Sequence, residues 1–181
     1  MTKSIIAALL LLIFFTSCKN NNKTTNETAA LNSIKVDEDD TKTGSFSFDG
    51  KSVEGAVSTQ YFGDKVKGNF SVLCQHDNDG GAENPNFALL QITFLNESDA
   101  INNPSLKVFN GPALAMSDPM PGLASITLSG RGNGLASGKS FFGTGKTTGS
   151  MSVSDRTITL KDITLYSREG AMKTVNAAIN F

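Results

Sequence analysis

The sequence predicts an all-β fold: an antiparallel β-sandwich of jelly-roll or immunoglobulin-like kind with about eight or nine strands, or alternatively a small closed β-barrel. Three observations predict it. Apolar residues alternate with polar ones from Gly44 onward, turn residues recur at short and fairly even intervals, and no helical period of useful length follows the first apolar run. The composition agrees, with abundant Gly, Ser and Thr, and with twelve Phe to supply the bulk of a core that has no Trp.

The chain opens on Lys3 and the unbroken apolar stretch Ile5 to Phe15, followed by Thr16, Ser17 and Cys18. A spanning helix needs roughly 20 apolar residues, so this run is too short to remain in a bilayer and has the dimensions of a secretory signal. Phe15-Thr16-Ser17-Cys18 resembles the lipobox of bacterial lipoproteins, in which an apolar residue and two small ones precede a cysteine. Phe15 departs from the usual Leu. The resemblance implies that Cys18 carries the lipid, that cleavage falls before it, and that residues 1–17 are removed. Several acyl chains on one cysteine would give stable membrane attachment where a single chain gives only marginal binding. Lys19, in place of an Asp, fits delivery to the outer membrane, and the Lys-led, Asn-rich start resembles lipoproteins of Bacteroidota-type bacteria.

Residues 18–43 form the next unit, a lipidated tether. They include Asn20-Asn21-Asn22 and the acidic run Asp37-Glu38-Asp39-Asp40, with few large apolar residues. Such a segment buries too little surface to offset the entropy of ordering it. As a random coil of about 25 residues it would reach roughly 25 to 30 Å.

Residues 44–181 are expected to form a single β-domain. Phe46 and Phe48 alternate with serines, Asp49-Gly50 is a strong hairpin signal, and Val53, Gly55, Val57, Thr59 and Tyr61 continue on the return strand. Phe70, Val72 and Cys74 share an inward face, with Ser71 and Gln75 on the other. Cys74 then behaves as a small buried hydrophobe. In the next strand Ala88, Leu90, Ile92 and Phe94 face one side, while Phe87, Leu89 and Leu95 make the other side apolar too, which predicts a well-covered central strand. All five prolines fall between Pro85 and Pro121, so the middle of the domain is loop-rich, with a short strand near Leu106 to Phe109. Ala124, Ile126 and Leu128 mark another strand. The Gly-rich turn from Gly130 to Gly138 leads into a long period-two run from Phe141 to Val153, in which Gly143, Gly145 and Gly149 let another segment approach closely or let the sheet bend. The apolar phase slips between Ile158, Leu160 and Ile163, Leu165, which predicts a bulge at Lys161-Asp162. Val175, Ala177, Ile179 and Phe181 close the core.

The totals exclude several classes of function. Sixteen basic against seventeen acidic residues leave no basic surface suited to nucleic acid, and no nucleic-acid signature is present. With Cys18 lipidated, Cys74 has no disulfide partner and no zinc spacing exists. A transmembrane barrel is disfavoured by modest strand lengths and the lack of aromatic belts.

Three stretches could carry chemistry. His76, Asp77, Asp79 and Glu83 lie on one polar loop, and Asp77 and Asp79 resemble the start of a calcium loop. The glycine comes too early for an EF-hand and the closing ligands are missing, so the plain reading is a solvated turn. Gly143-Thr144-Gly145-Lys146-Thr147 resembles the end of a phosphate-binding loop, but Ser140 stands where the first glycine is required and a strand replaces the helix. The loop 110–121 carries Leu114, Met116 and Met120, which either cap the core or contact a protein or small-molecule ligand. A single histidine and the absence of a nucleophile elbow disfavour catalysis.

The sequence therefore predicts a lipoprotein of the bacterial outer membrane, a non-enzymatic binding or structural module held by its N-terminal lipid. It requires no cofactor. The alternatives are an envelope hydrolase that uses carboxylates or His76, and a calcium- or metal-dependent module at the 76–83 loop.

Overall fold

A computed structural model of the chain describes residues 42–62, 68–76, 86–101, 103–112 and 121–181. In chain order these form β1 (Thr43–Phe48), β2 (Lys51–Phe62), β3 (Asn69–His76), β4 (Ala88–Phe94), α1 (Glu97–Ile101), β5 (Asn103–Val108), β6 (Leu123–Gly130), β7 (Ser140–Phe142), β8 (Ser150–Ser154), β9 (Thr157–Tyr166) and β10 (Met172–Asn180). The first strand starts one residue before the expected boundary.

All ten strands belong to one sheet. It runs β10-β1-β2-β3-β4-β6-β5-β8-β9, and pairing of β9 with β10 closes those nine strands into a barrel. The sandwich expected first is therefore replaced by its alternative, the small closed barrel. Alternation of period two is common to both. The choice rests on pairings remote in sequence, β1 with β10 and β5 with β8, and on the parallel contact of β5 with β6. Strand β7 fills the upper part of the gap between β6 and β9, pairing with β6 over residues 127–129 and with β9 at Tyr166. The long strand β2 changes partner at Ala56, bonding β1 before it and β3 after it. Such stagger is what barrel closure demands.

Inward alternation was legible. Phe46, Phe48, Phe70, Phe94, Leu90, Ile92, Ile126, Leu128, Ile158, Ile163, Leu165 and Ile179 are the largest fully buried side chains and fill the barrel. Each such side chain contributes about 1.5–3 kcal/mol relative to exposure. The interior is thus a core rather than a cup. Outward positions are polar along much of the wall, as with Ser45, Glu54, Ser152, Thr159 and Lys161, whose neighbours across the ladders are also outward-facing. This is the inverse of a lipid-facing barrel, whose outer band is apolar. Among the described residues no helix is long and apolar enough to cross a membrane.

The hairpin and bulge signals were also sound. Asp49 and Gly50 both take positive φ, 49° and 76°, as a two-residue hairpin turn requires. In the β9–β10 ladder Leu160 faces Ala177 and Ile163 faces Val175, so Lys161 and Asp162 together oppose Asn176. Asp162 takes φ 52°, and its N–H is held by Asn176 Oδ1 at 2.9 Å.

Three expectations need correction. The run from Phe141 to Val153 is not one strand, since β7 ends at Phe142 and β8 begins at Ser150. A tight turn intervenes, with Thr147 N–H on Thr144 O (2.9 Å) and Thr144 N–H on Thr147 Oγ1 (2.8 Å). Side-chain capping by threonine competes here with the extended ladder. Second, the region after Asn96 holds α1, whose start is capped by Asn96 Oδ1 on Asp99 N–H (3.0 Å). Third, Ser71 faces outward yet is buried. It lies in register with Thr93 and Ser125, all three on the outer face and all three closed to solvent.

At the lower end, Arg156 ties three segments together. Its Nε donates to Phe181 O (3.0 Å), its Nη2 donates to Glu97 Oε1 (3.0 Å), and its guanidinium lies 5.1 Å from the centre of the Phe181 ring. Phe181 is buried against Phe70, with ring centroids 5.7 Å apart.

Candidate functional site

The outer wall over β4, β6 and β7 is where the polar exterior becomes a groove. Register sets its floor: Leu89 lies opposite Ser129 and Ser129 opposite Ser140, while Gln91 lies opposite Thr127 and Thr127 opposite Phe142. All six point outward, because Leu90, Ile92, Ile126, Leu128 and Phe141 take the inward positions between them. Leu89 and Phe142 therefore stand at opposite corners of the floor, with the polar side chains of Ser129, Ser140, Gln91 and Thr127 filling the rest.

The walls come from turns. Pairing of Phe142 with Tyr166 brings the β9–β10 turn beside β7, placing Arg168 and Glu169 on one side. That turn is tight: Ser167 N–H donates to Ala171 O (2.8 Å) and Gly170 N–H to Ser167 O (3.0 Å). Lys139 stands at the entrance to β7, in a turn closed by its N–H on Ala136 O (3.0 Å). Pro112 forms the remaining wall, fixed by Gly111 N–H on Gly143 O (2.9 Å). That approach requires a glycine at 143, since a Cβ there would lie 2.4 Å from Val108 Cγ1 and 2.5 Å from Phe109 O.

The groove encloses about 570 Å³, within the range of small-molecule sites. It continues into a shallower depression of about 340 Å³ that shares Ser129, Lys139 and Ser140 and adds Phe87, Arg131 and Ser137. Among the described residues, Lys139 and Arg168 line the groove together with one carboxylate, Glu169. Glu169 is held below the usual carboxylate range, chiefly by the Ser167 hydroxyl, then by its own backbone N–H and the charge of Lys139. Gln91 is anchored from below, with Nε2 near Ser71 Oγ (3.4 Å) and Thr93 Oγ1 (3.5 Å), and those two hydroxyls bond each other. The arrangement can hydrogen-bond a polar ligand along the floor, stack an apolar face on Phe142, and meet negative charge at Lys139 and Arg168.

Few residues singled out from the sequence take part. His76 ends β3 at the upper rim, where its Nδ1 donates to Glu54 O at 2.8 Å. Asp77, Asp79 and Glu83 lie outside the described residues, as do Cys18, Leu114, Met116 and Met120. Among the described residues no three His, Cys, Asp or Glu side chains converge on a metal-sized site. Lys146, in the stretch resembling a phosphate loop, is exposed on the β7–β8 turn, and strand β8 follows it rather than a helix. Cys74 is fully buried beneath Gly44, whose missing side chain leaves the room: a Cβ there would sit 3.2 Å from the sulfur. Burial pushes its thiol up to about 11.

Sequence reading missed Gln91, Thr127, Ser129, Lys139, Ser140, Phe142, Arg168 and Glu169. One signal was available: Phe142 follows inward-facing Phe141, so a large aromatic had to sit on the outer face of a polar-walled strand. The chain was compared with family models, with curated proteins and with solved structures, and no match was found in any of them.

Proposed function

We propose that this protein is a lipid-anchored binding module of the bacterial outer membrane, non-enzymatic, with its site in the groove over β4, β6 and β7. The observation that carries the binding reading is the contrast between a barrel filled by its own side chains and an outer groove of about 570 Å³ with converging polar groups. The anchor rests on Phe15-Thr16-Ser17-Cys18 and on the tether that separates this motif from β1. A polar outer wall suits a domain that stands in water beside a membrane, with acyl chains rather than strands providing attachment. Among the described residues the groove is lined by no histidine and by one carboxylate, Glu169, so they give no support there to general acid–base chemistry by a pair of groups.

The anchor is tested by expressing the full chain and a Cys18→Ser variant in a Gram-negative host. The native chain is expected to gain acyl mass and to enter the detergent phase, while the variant stays unacylated in the aqueous phase. Detergent partitioning of the variant equal to that of the native chain would overturn the anchor.

A further inference from the structure

We infer that the groove recognises a hydroxylated oxyanion, a ligand in which a carboxylate or phosphate is borne on a compact polyol body such as an acidic sugar; this rests on the groove being the binding site. Charge gives the first half of the argument. Among the described residues Lys139, Arg168 and Glu169 line the groove and Arg131 lines the adjoining depression, so cations outnumber anions along the connected surface. Glu169 is an exposed carboxylate whose ionised form is further favoured by the Ser167 hydroxyl and its own N–H, so it repels an anion placed beside it while it can still accept from a ligand hydroxyl. An oxyanion is therefore directed to the Lys139 and Arg168 side chains, where planar guanidinium geometry matches a carboxylate or phosphate.

The floor gives the second half. Ser129 and Ser140 are cross-strand neighbours, and Gln91 and Thr127 are the next such pair. The hydroxyls of these rows can donate and accept, and Gln91, whose Nε2 is turned to Ser71 and Thr93, keeps its Oε1 as an acceptor, a set that suits ligand hydroxyls. Phe142 ends the second row and offers a ring to the C–H face of a polyol body. A bare inorganic anion would use the cations and leave this floor unused. A neutral sugar would use the floor and leave the cations unused.

The test is an amide-shift titration of residues 42–181, which keep all of β1, in low salt with three probes: glucuronate, glucose and inorganic phosphate. Glucuronate is expected to shift the Thr127, Ser129 and Ser140 amides saturably, about tenfold more tightly than either glucose or phosphate. Lys139→Ala and Arg168→Ala should each weaken it about three- to tenfold, Glu169→Gln should tighten it, and added salt should weaken it in the native domain. These variants are exposed side chains, and unchanged far-UV circular dichroism would show that each is folded. Equal binding of glucose and glucuronate would overturn the anion. Equal binding of phosphate and glucuronate would overturn the polyol body. Failure of all three probes to move any groove amide would overturn the groove as the site. The domain is used without its anchor because the buried core runs from Phe46 to Phe181 and the first ladder hydrogen bond reaches back to Lys42 O.

Discussion

Gly149 and Gly145 stand four residues apart in the same turn, and substituting each by alanine should give opposite results. At Gly149 φ is +102°, a conformation L-residues rarely adopt, and an added Cβ would lie 2.4 Å from Asp162 O, 2.6 Å from Asp162 C and 2.7 Å from Ile163 N. All three atoms are backbone of the β9 bulge, so no rotamer change relieves the contact. Backbone strain contributes about 1–3 kcal/mol, and displacing a packed ladder adds about 1–3 kcal/mol. Gly149→Ala should thus destabilise by about 2–6 kcal/mol and lower Tm by roughly 6–18 °C. Gly145 has no positive φ, and a Cβ added there would meet no atom within 4 Å. Gly145→Ala should leave stability unchanged or raise it by about 0.4–1 kcal/mol through the unfolded chain. With no Trp in the chain, urea unfolding is best followed by far-UV circular dichroism. A neutral Gly149→Ala, or a Gly145→Ala as costly as it, would refute the bulge-to-turn contact.

Three further outcomes follow from buried groups. Ser125 Oγ is buried without a hydrogen-bond partner, so Ser125→Ala should stabilise by about 1 kcal/mol; destabilisation in the same urea assay would mean that the hydroxyl is satisfied. Cys74 is neutral in both states below its ordinary value of 9.0, and between there and about 11 only the unfolded thiol ionises. Stability is therefore lost as pH rises through that window, by about 2–3 kcal/mol, and the advantage of native over Cys74→Ala should shrink by that amount from pH 8 to pH 11; a pH-independent difference would contradict the burial. At the lower end, Arg156→Ala should cost about 1–2 kcal/mol, because the bonds to Phe181 and to the part-exposed Glu97 are lost. Arg156→Gly should cost less, since φ is +60° there; an equal or greater loss for glycine would show that this φ stores no strain.

What the sequence revealed and what it withheld divide along a physical line. Local patterns were legible: the Asp49-Gly50 turn, the inward faces of β1, β3, β9 and β10, and the Lys161-Asp162 bulge are all encoded within a few residues. The split of residues 140–154 was hidden because glycine and threonine satisfy either a strand or a turn, and the decision lies in the Thr144–Thr147 hydrogen bonds. Closure was hidden because Phe46 meets Ala177 only across the whole length of the domain. The groove was hidden for the same reason. Gln91, Thr127 and Phe142 come from three strands, and nothing in any one of them marks the row they form.

A methyl-resolved titration of the domain with glucuronate separates an outer site from an inner one in a single experiment. The barrel is filled and the site is on its outer wall, so Leu89 methyls on the floor should shift while those of Leu90, Ile92, Ile126 and Leu128 stay in place. Shifts among those inward methyls, with Leu89 silent, would mean that the barrel opens to hold its ligand inside, and would contradict both the packed core and the outer groove.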